Sequence, residues 1–432
     1  MRIAVLLLIT APVFCIDLET ARTMALANSR TLARYNLAVE SAGLDEKLRK
    51  YGALPSLSLG ASGSAGLSGE VSLKDSFSAG ANFGVSGQLY DGGRNSLLKA
   101  VNAMSEGIAR QDALEEYFAV LDAADAAYYG VLEAGAALSA SDAALEASTF
   151  ALDMAEIRLE SGMIAYGDYL QALAEKESGE ASRNQAKRDL TISRVTLANL
   201  TGQTEFQEPE ELDFEAWEEL MRKLAGLSDE RVEAFLESFR AEVSRANPAL
   251  VKAALRSGQA DKAVSLAKRD YFPTLNAGVS GGMNYSMVDG ADISSGRISL
   301  SASIPLDFLV TGANIDKKKI ARDEALLDRK SAELALDLEI RTAALDLITQ
   351  AMSALSSSRA EEYAVRRYEQ VLELYRMSHA SVAELSDAAA SAGSSRNQHI
   401  RSRYGFLSGL SKIRSLGSFP SDEELRAALL SW

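Results

Sequence analysis

Side chains able to make or break bonds are scarce in this sequence. It holds one cysteine, Cys15, and two histidines, His379 and His399. A Cys/His metal cluster, a disulfide framework and a Cys–His nucleophilic pair are therefore almost excluded. Carboxylates are plentiful, 60 Asp+Glu against 45 Lys+Arg for a net charge of −15. No paired-acid pocket stands out among them, so a hydrolase fits poorly and no enzyme activity or cofactor is expected. The acidic balance also argues against nucleic-acid binding through a basic surface. The glycine-rich run 60–93 lacks the GxxxxGK[ST] spacing of a phosphate loop. Glu384 and Asp387 are three apart and so on one face of any helix that carries them, which by itself reads as two ordinary exposed acids. His379 reads either as a plain surface histidine or as a pH-dependent contact.

The elements that hold these groups are long helices. Residues 94–202 contain no proline and are rich in Ala, Leu, Glu, Lys and Arg, all strong helix formers. Leu138, Leu145, Leu152 and Leu159 recur every seventh residue beside Ala134, Ser141, Ser148 and Ala155. Such a heptad with a small-residue seam makes helices that pack side by side over long distances. Glu160-Ser161-Gly162-Met163 is the one good break, so the stretch predicts an antiparallel hairpin turning near Gly162.

Period two takes over elsewhere. Residues 56–67 and 77–89 alternate apolar with small or polar side chains, as do 274–285 and 297–306. Strands of about ten residues with this alternation suit membrane β-strands, lipid on one side and water on the other. The competing reading is a half-buried soluble hairpin, whose strands usually run about 5–6 residues. Residues 68–76 form a polar loop between the first two strands.

The chain reads as a duplication of one unit: helix, two strands, long helical hairpin. Phe272-Pro273-Thr274-Leu275 echoes Leu54-Pro55-Ser56-Leu57, Gly312-Ala313-Asn314 echoes Gly93-Arg94-Asn95, and Ser395-Arg396-Asn397-Gln398 repeats Ser182-Arg183-Asn184-Gln185. The first unit is 16–202, opening with one amphipathic helix over 17–50 that Asp17 can cap. The second is 241–417, its helical hairpin over 313–415 and about six residues shorter by the spacing of these echoes. Residues 203–240 form an acidic linker expected to run solvated, and 418–432 form a tail. Residues 1–15 resemble a secretory signal. Cys15 leaves two routes open, lipidation after cleavage or simple cleavage nearby.

Four membrane strands cannot close a barrel, because open edges leave unpaired backbone groups in lipid. The chain is therefore expected to oligomerise, with the helical hairpins continuing the tube on the periplasmic side. Three copies would give twelve strands, although nothing in this reasoning fixes three.

At this point the sequence resembles the TolC-type outer-membrane efflux proteins, across nearly all of the mature chain. Ile16-Asp17-Leu18-Glu19-Thr20-Ala21, continuing through Ala25, Leu26, Ala27 and Asn28, resembles the family's first helix. Leu89-Tyr90-Asp91-Gly92-Gly93 resembles its strand-to-helix junction. Gly162-Met163-Ile164 with Asp168 resembles its periplasmic tip, and Leu197-Ala198-Asn199-Leu200-Thr201-Gly202 the close of its first repeat. The resemblance implies a mainly α fold with membrane β: a homotrimer whose twelve-stranded β-barrel is continued by a periplasmic α-helical barrel. It also implies the exit duct of a tripartite efflux pump or type I secretion system, set in outer-membrane lipid. The partners implied are a periplasmic adaptor (membrane fusion) protein and an inner-membrane transporter.

Val382–Ala388 resembles the family's acidic constriction, so Glu384 and Asp387 would form two stacked carboxylate rings in a trimer. Asp168 matches the acceptor of the closed-state network and Tyr375 its gating tyrosine. The arginine expected soon after Tyr375 is replaced by Ala380, and Arg376 is the nearest substitute. Gly162, Met163, Ile164, Ser378 and His379 would form the adaptor-docking tips. The alternative from another class is a periplasmic coiled-coil scaffold or adaptor-like protein with soluble hairpins.

Overall fold

The computed structural model describes residues 15–65, 77–212, 214–286, 290–292, 296–377 and 379–431. The signal segment before Cys15, the loop 68–76, the expected strand end at Gly66-Leu67 and Ser378 lie outside the described residues. In chain order the elements are α1 (Leu18–Asn28), α2 (Arg30–Gly52), β1 (Ser56–Ala65), β2 (Phe77–Tyr90), α3 (Arg94–Glu160) and α4 (Tyr166–Thr201). There follow α5 (Glu215–Ala225), α6 (Asp229–Ala246), α7 (Pro248–Lys268), a short 3-10 turn (Arg269–Tyr271), β3 (Thr274–Ser286), β4 (Gly290–Asp292) and β5 (Arg297–Ser303). The chain closes with α8 (Phe308–Arg376), α9 (Val382–Gly417) and α10 (Asp422–Ser431).

Prolines mark the joints as steric rules require. Phe272 before Pro273 and Asn247 before Pro248 are both extended, with ψ 145° and 122°, because proline disfavours a helical residue before it. Pro248 itself opens α7, where its missing N–H costs nothing. One helix expected over 17–50 is in fact two. Ser29 leaves the helical region at ψ 110° and its Oγ accepts the Leu32 N–H at 3.1 Å, so it caps α2. Asp17 occupies the N-cap position of α1, but its side chain makes no capping bond.

The chain divides into two compact units. The sheet unit comprises Arg34–Ala113 and Pro248–Leu334. Its strands are antiparallel in the order β1-β2-β3-β5, with β4 pairing the far end of β3. β5 ends at Ser303, short of the expected 306, where Pro305 supplies no ladder donor.

The helical unit holds the remainder: residues up to Ala33, Leu114–Asn247 and those from Ala335 on. Ala25, Val120 and Ala124 pack together with Leu26, Leu32 and Leu200 around them. The acidic segment expected to run solvated is packed instead. Leu220, Met221, Leu224, Phe235, Leu236, Phe239 and Val243 of α5 and α6 are all buried, and Ile16 bridges in parallel to Pro209 beneath it. Its glutamates lie on one face of amphipathic helices and conceal the apolar face from a composition-based reading.

The two hairpins have near-equal helices, 67 and 36 residues in the first, 69 and 36 in the second. Gly92 and Gly93 take positive φ and delay the start of α3. Gly312 lies inside α8, which begins four residues earlier. The shortening expected of the second hairpin is therefore not visible in helix length.

Candidate functional site

The sheet is two-faced from strand to strand. Registered rows place Leu57, Val85, Val279 and Ile298 side by side, then Leu59 with Phe83, then Ala61, Ala81 and Met283. The opposite face carries Ser56, Ser86, Gly278 and Ser299, then Gly60, Asn82 and Gly282, then Ser62, Gly80 and Asn284. Serines hydrogen-bond along that face, Ser56 to Ser86 at 3.0 Å and Ser64 to Ser78 at 2.8 Å. A Cβ on Gly60 would run into Asn82 Oδ1, so the absent side chain makes room for the amide.

The apolar face is bare. Leu59 and Ile298 are each 85% exposed, and Leu57 and Leu300 nearly as much. A contiguous apolar surface of this kind marks contact with lipid or with another chain. A register shift between Gln88 and Tyr90 brings Tyr90 opposite Leu275. β1 and β5 each pair on one side only among the described residues, so both edges offer unpaired backbone groups. No described helix is long and apolar enough to cross a membrane.

At the far turn of the first hairpin, Gly162 adopts φ 67°. Gly162 N–H donates to Leu159 O at 2.9 Å and Met163 N–H to Arg158 O at 2.8 Å, the double bond pattern of a Schellman stop. α4 then opens with the Asp168 carboxylate accepting from Ala165 N–H at 3.2 Å. The second turn, at 377–381, lacks a glycine. His379 N–H donates to Leu374 O at 2.8 Å, and Ser381 caps α9.

Between the turns lies a small core of Ala151, Ala155, Ala172, Tyr375, Val382 and Leu385, with Ile164 and Ala380 against it. Tyr375 is wholly buried, and its hydroxyl donates to Ala151 O at 3.3 Å. Burial pushes that hydroxyl's pKa up, and Arg158 works against the rise. Arg158, itself buried, lays its guanidinium over the Tyr375 ring at 4.1 Å from the centroid and donates to the Tyr375 carbonyl.

A family model for outer membrane efflux proteins matches residues 21–203 and again 241–416, most of the chain in two passes. The chain belongs to the outer membrane efflux protein family.

Solved structures agree in fold. A CusC crystal structure matches with a TM-score of 0.77 at 16% identity, covering 94% of this chain and 93% of its own. The Campylobacter jejuni CmeC outer membrane channel gives 0.77 at 16%, covering 95% and 89%. VceC of Vibrio cholerae, an outer membrane protein, gives 0.74 at 15%, covering 93% and 96%. A comparison with curated protein sequences finds no match.

As a member of this family it is an outer-membrane efflux protein, mostly helical, with a sheet four strands across in which β4 and β5 both lie against β3. Its expected site residues are placed as follows. Glu384 is exposed, and its Oε2 accepts from Ser381 N–H at 2.8 Å and Ser381 Oγ–H at 3.1 Å, completing a capping box. Those two bonds hold the Glu384 carboxyl below its usual pKa. Asp387 is exposed one turn further on. Asp168 is spent on its own helix start, and no hydrogen bond or ion pair joins it to Tyr375 among the described residues. Arg376 pairs with Glu373 at 2.7 Å and reaches Phe150, not Tyr375. Gly162, Met163 and His379 are exposed at the turns, with Ile164 half-buried.

Sequence reasoning missed two constellations. One is Arg158, the basic residue in the last turn of α3. The other is an ionic cluster in the helical unit. Asp125 accepts from Arg22 Nε at 2.6 Å and Nη2 at 2.8 Å, from Arg414 Nη2 at 2.8 Å and from Ser411 at 2.6 Å. Asp422 of α10 joins both arginines, at 2.7 and 3.0 Å. Burial opposes the charge of Arg22, and its bonds to Asp125 and Asp422 outweigh that and raise its pKa. Asp122 stands 3.7 Å from Arg414 with Oδ1 lacking a hydrogen bond. Burial foremost, with Asp125 adding, pushes its carboxyl up to about 6.

Proposed function

We propose that this chain is the outer-membrane exit duct of a tripartite efflux pump or type I secretion system, working as a homotrimer gated at its helical turns. The observation that carries this is a sheet four strands across, β4 and β5 both lying against β3, with one bare apolar face, one serine–glycine–asparagine face and two open edges. Backbone groups at an open edge are too costly in lipid to leave unpaired. β1 of one copy pairing β5 of the next removes every edge, and three copies give a twelve-stranded barrel, a size that encloses a lumen. The small polar face then lines water and the apolar face meets lipid.

The hairpin turns suit docking by a periplasmic adaptor, which would in turn join an inner-membrane transporter. Met163, Tyr166 and Met377 are all more than 60% exposed there, and such adaptable apolar side chains favour partner surfaces. Gating would be a relative movement of the two turns, opposed by Arg158 on Tyr375. Glu384 and Asp387, repeated threefold, would set two acidic rings across the narrow end. Substrate passes through without chemical change.

Membrane extraction, chemical cross-linking and planar-bilayer recording test this reading together. The chain should require detergent, cross-link to trimers and insert as a conducting pore. Extraction without detergent as a monomer would overturn the duct and favour a soluble scaffold. Loss of the chain should raise retention of small amphiphiles if it serves a pump, or abolish export of a protein if it serves secretion.

A further inference from the structure

The sheet unit contains a cavity of about 560 Å³ where the strands give way to helices. One wall is the end of α2, with Asp45, Leu48 and Arg49, and the other is the start of α3, with Arg94, Asn95 and Leu98. Arg94 is four residues past Tyr90, the last residue of β2, so the cavity lies at the level where the membrane strands end. Its volume falls in the range of small-molecule sites, about 300–1,000 Å³.

The junction is rigid. Gly92 takes φ 67°, and a Cβ there would meet Phe272 Cβ at 2.9 Å. Asp91 is fully used: its carboxylate accepts from Gly93 N–H at 2.8 Å and Asn95 N–H at 2.5 Å. Arg94 pairs with Asp270, which leaves its Nε buried without a hydrogen-bond partner.

Asp45 and Arg49 stand one helical turn apart, the spacing at which opposite charges normally pair. They form no ion pair with each other, and neither side chain has a charged partner among the described residues, although both line the cavity. An unpaired anion beside an unpaired cation suits a ligand carrying both charges. Leu48 lines the cavity, and Tyr51 and Leu54 follow it in the chain beyond the lining, each at least 63% exposed.

We propose that this cavity seats the headgroup of a zwitterionic glycerophospholipid with a primary ammonium, from the inner leaflet of the outer membrane. Arg49, exposed and without an ion pair among the described residues, takes the phosphodiester by the two-pronged contact guanidinium groups favour. Asp45 takes the ammonium, and Leu48, Tyr51 and Leu54 lie along the acyl chains. Basic and aromatic side chains at this level are the usual lipid anchors. The site rests on the reading that the sheet lies in the outer membrane.

Native mass spectrometry of the full chain in detergent, titrated with phosphatidylethanolamine, phosphatidylglycerol and phosphatidylcholine, tests the assignment. Wild type should retain phosphatidylethanolamine over the other two. Arg49→Ala should weaken retention of all three about tenfold, the worth of one charge-assisted hydrogen bond, and Arg49→Lys should recover part of it. Asp45→Asn should erase the preference for phosphatidylethanolamine over phosphatidylcholine. Equal adducts on wild type and Arg49→Ala would overturn the site. Inorganic phosphate competing as well as lipid would show an anion site only and would overturn the lipid assignment. Fractionation separates the two readings. A chain that stays in the outer membrane but shows no Arg49-dependent adduct sinks only this site, whereas a chain released without detergent sinks the membrane reading as well.

Discussion

The guanidinium of Arg158, in the last turn of α3, lies over the ring of Tyr375, in the last turn of α8, and donates to that residue's carbonyl. One buried cation thus ties together the ends of both long helices, one from each half of the duplicated chain. A cation over a desolvated ring and a charge-assisted hydrogen bond are each worth about 1–2 kcal/mol.

Arg158→Ala should therefore loosen the two turns. A loss of about 2 kcal/mol changes a closed-to-open equilibrium about thirtyfold. Single-channel recording should show higher open probability, with Arg158→Lys intermediate because ammonium lacks the flat stacking face. Tyr375→Phe removes only the bond to Ala151 O and should cost about 1 kcal/mol. Unchanged gating in Arg158→Ala would remove the latch.

The two faces of the sheet make a second contrast. Leu59→Arg puts a charge on the bare apolar face and should cost about 2–4 kcal/mol of membrane stability near the bilayer midplane. Ser58→Arg, one residue away on the small polar face, should insert normally and reduce conductance. Heat-modifiability on gels and pore recording distinguish the two. Equal tolerance at both positions would mean the sheet is not lipid-facing.

These faces were legible because period two is a local property. Leu57, Leu59 and Ala61 alternate with Ser56, Ser58 and Gly60 within a few residues, and pairing with β2 merely extends the pattern. The hairpins were legible for the same reason, through helix formers and Gly162. Tyr375 was legible as a position, but nothing local announces the cation on its ring, because Arg158 comes from α3, 217 residues away in sequence. The ionic cluster had no local signal at all. Arg22 and Asp422 are 400 residues apart, and Asp422 heads an acidic run, Asp422-Glu423-Glu424, that reads as an ordinary helix first turn. The segment 203–240 misled through composition, since glutamates on one face outweigh Leu220, Phe235 and Phe239 on the other.

That cluster makes the third prediction. Asp125→Ala leaves Arg22 and Arg414 buried and facing each other, and should cost about 3–5 kcal/mol in thermal or denaturant unfolding. Asp422→Ala should cost less, because Asp422 is partly solvated. Asp122 behaves in the opposite sense. Its folded pKa of about 6 lies above the ordinary 3.8, so its contribution to stability is fully present below about pH 4 and is lost as pH rises through 6. Asp122→Asn cannot charge, and should raise the melting temperature at pH 8 while leaving it unchanged at pH 4. A gain of equal size at both pH values would exclude ionisation as the cause.

The Glu384 carboxylate caps α9 through Ser381, and in the proposed trimer it would ring a pore with Asp387. Glu384→Ala plus Asp387→Ala should raise single-channel conductance or weaken block by divalent cations. Glu384→Gln keeps an acceptor for the Ser381 N–H while removing charge, so it should retain the helix start and still weaken the block. The depressed pKa of Glu384 fixes the pH dependence. The cap is intact above the usual glutamate range and is lost only as pH falls through the lower folded value. Block attributable to Glu384 should therefore persist into mildly acidic solution. A double variant with wild-type conductance and wild-type cation block would leave both acids as ordinary surface groups, and Glu384 as a helix cap alone.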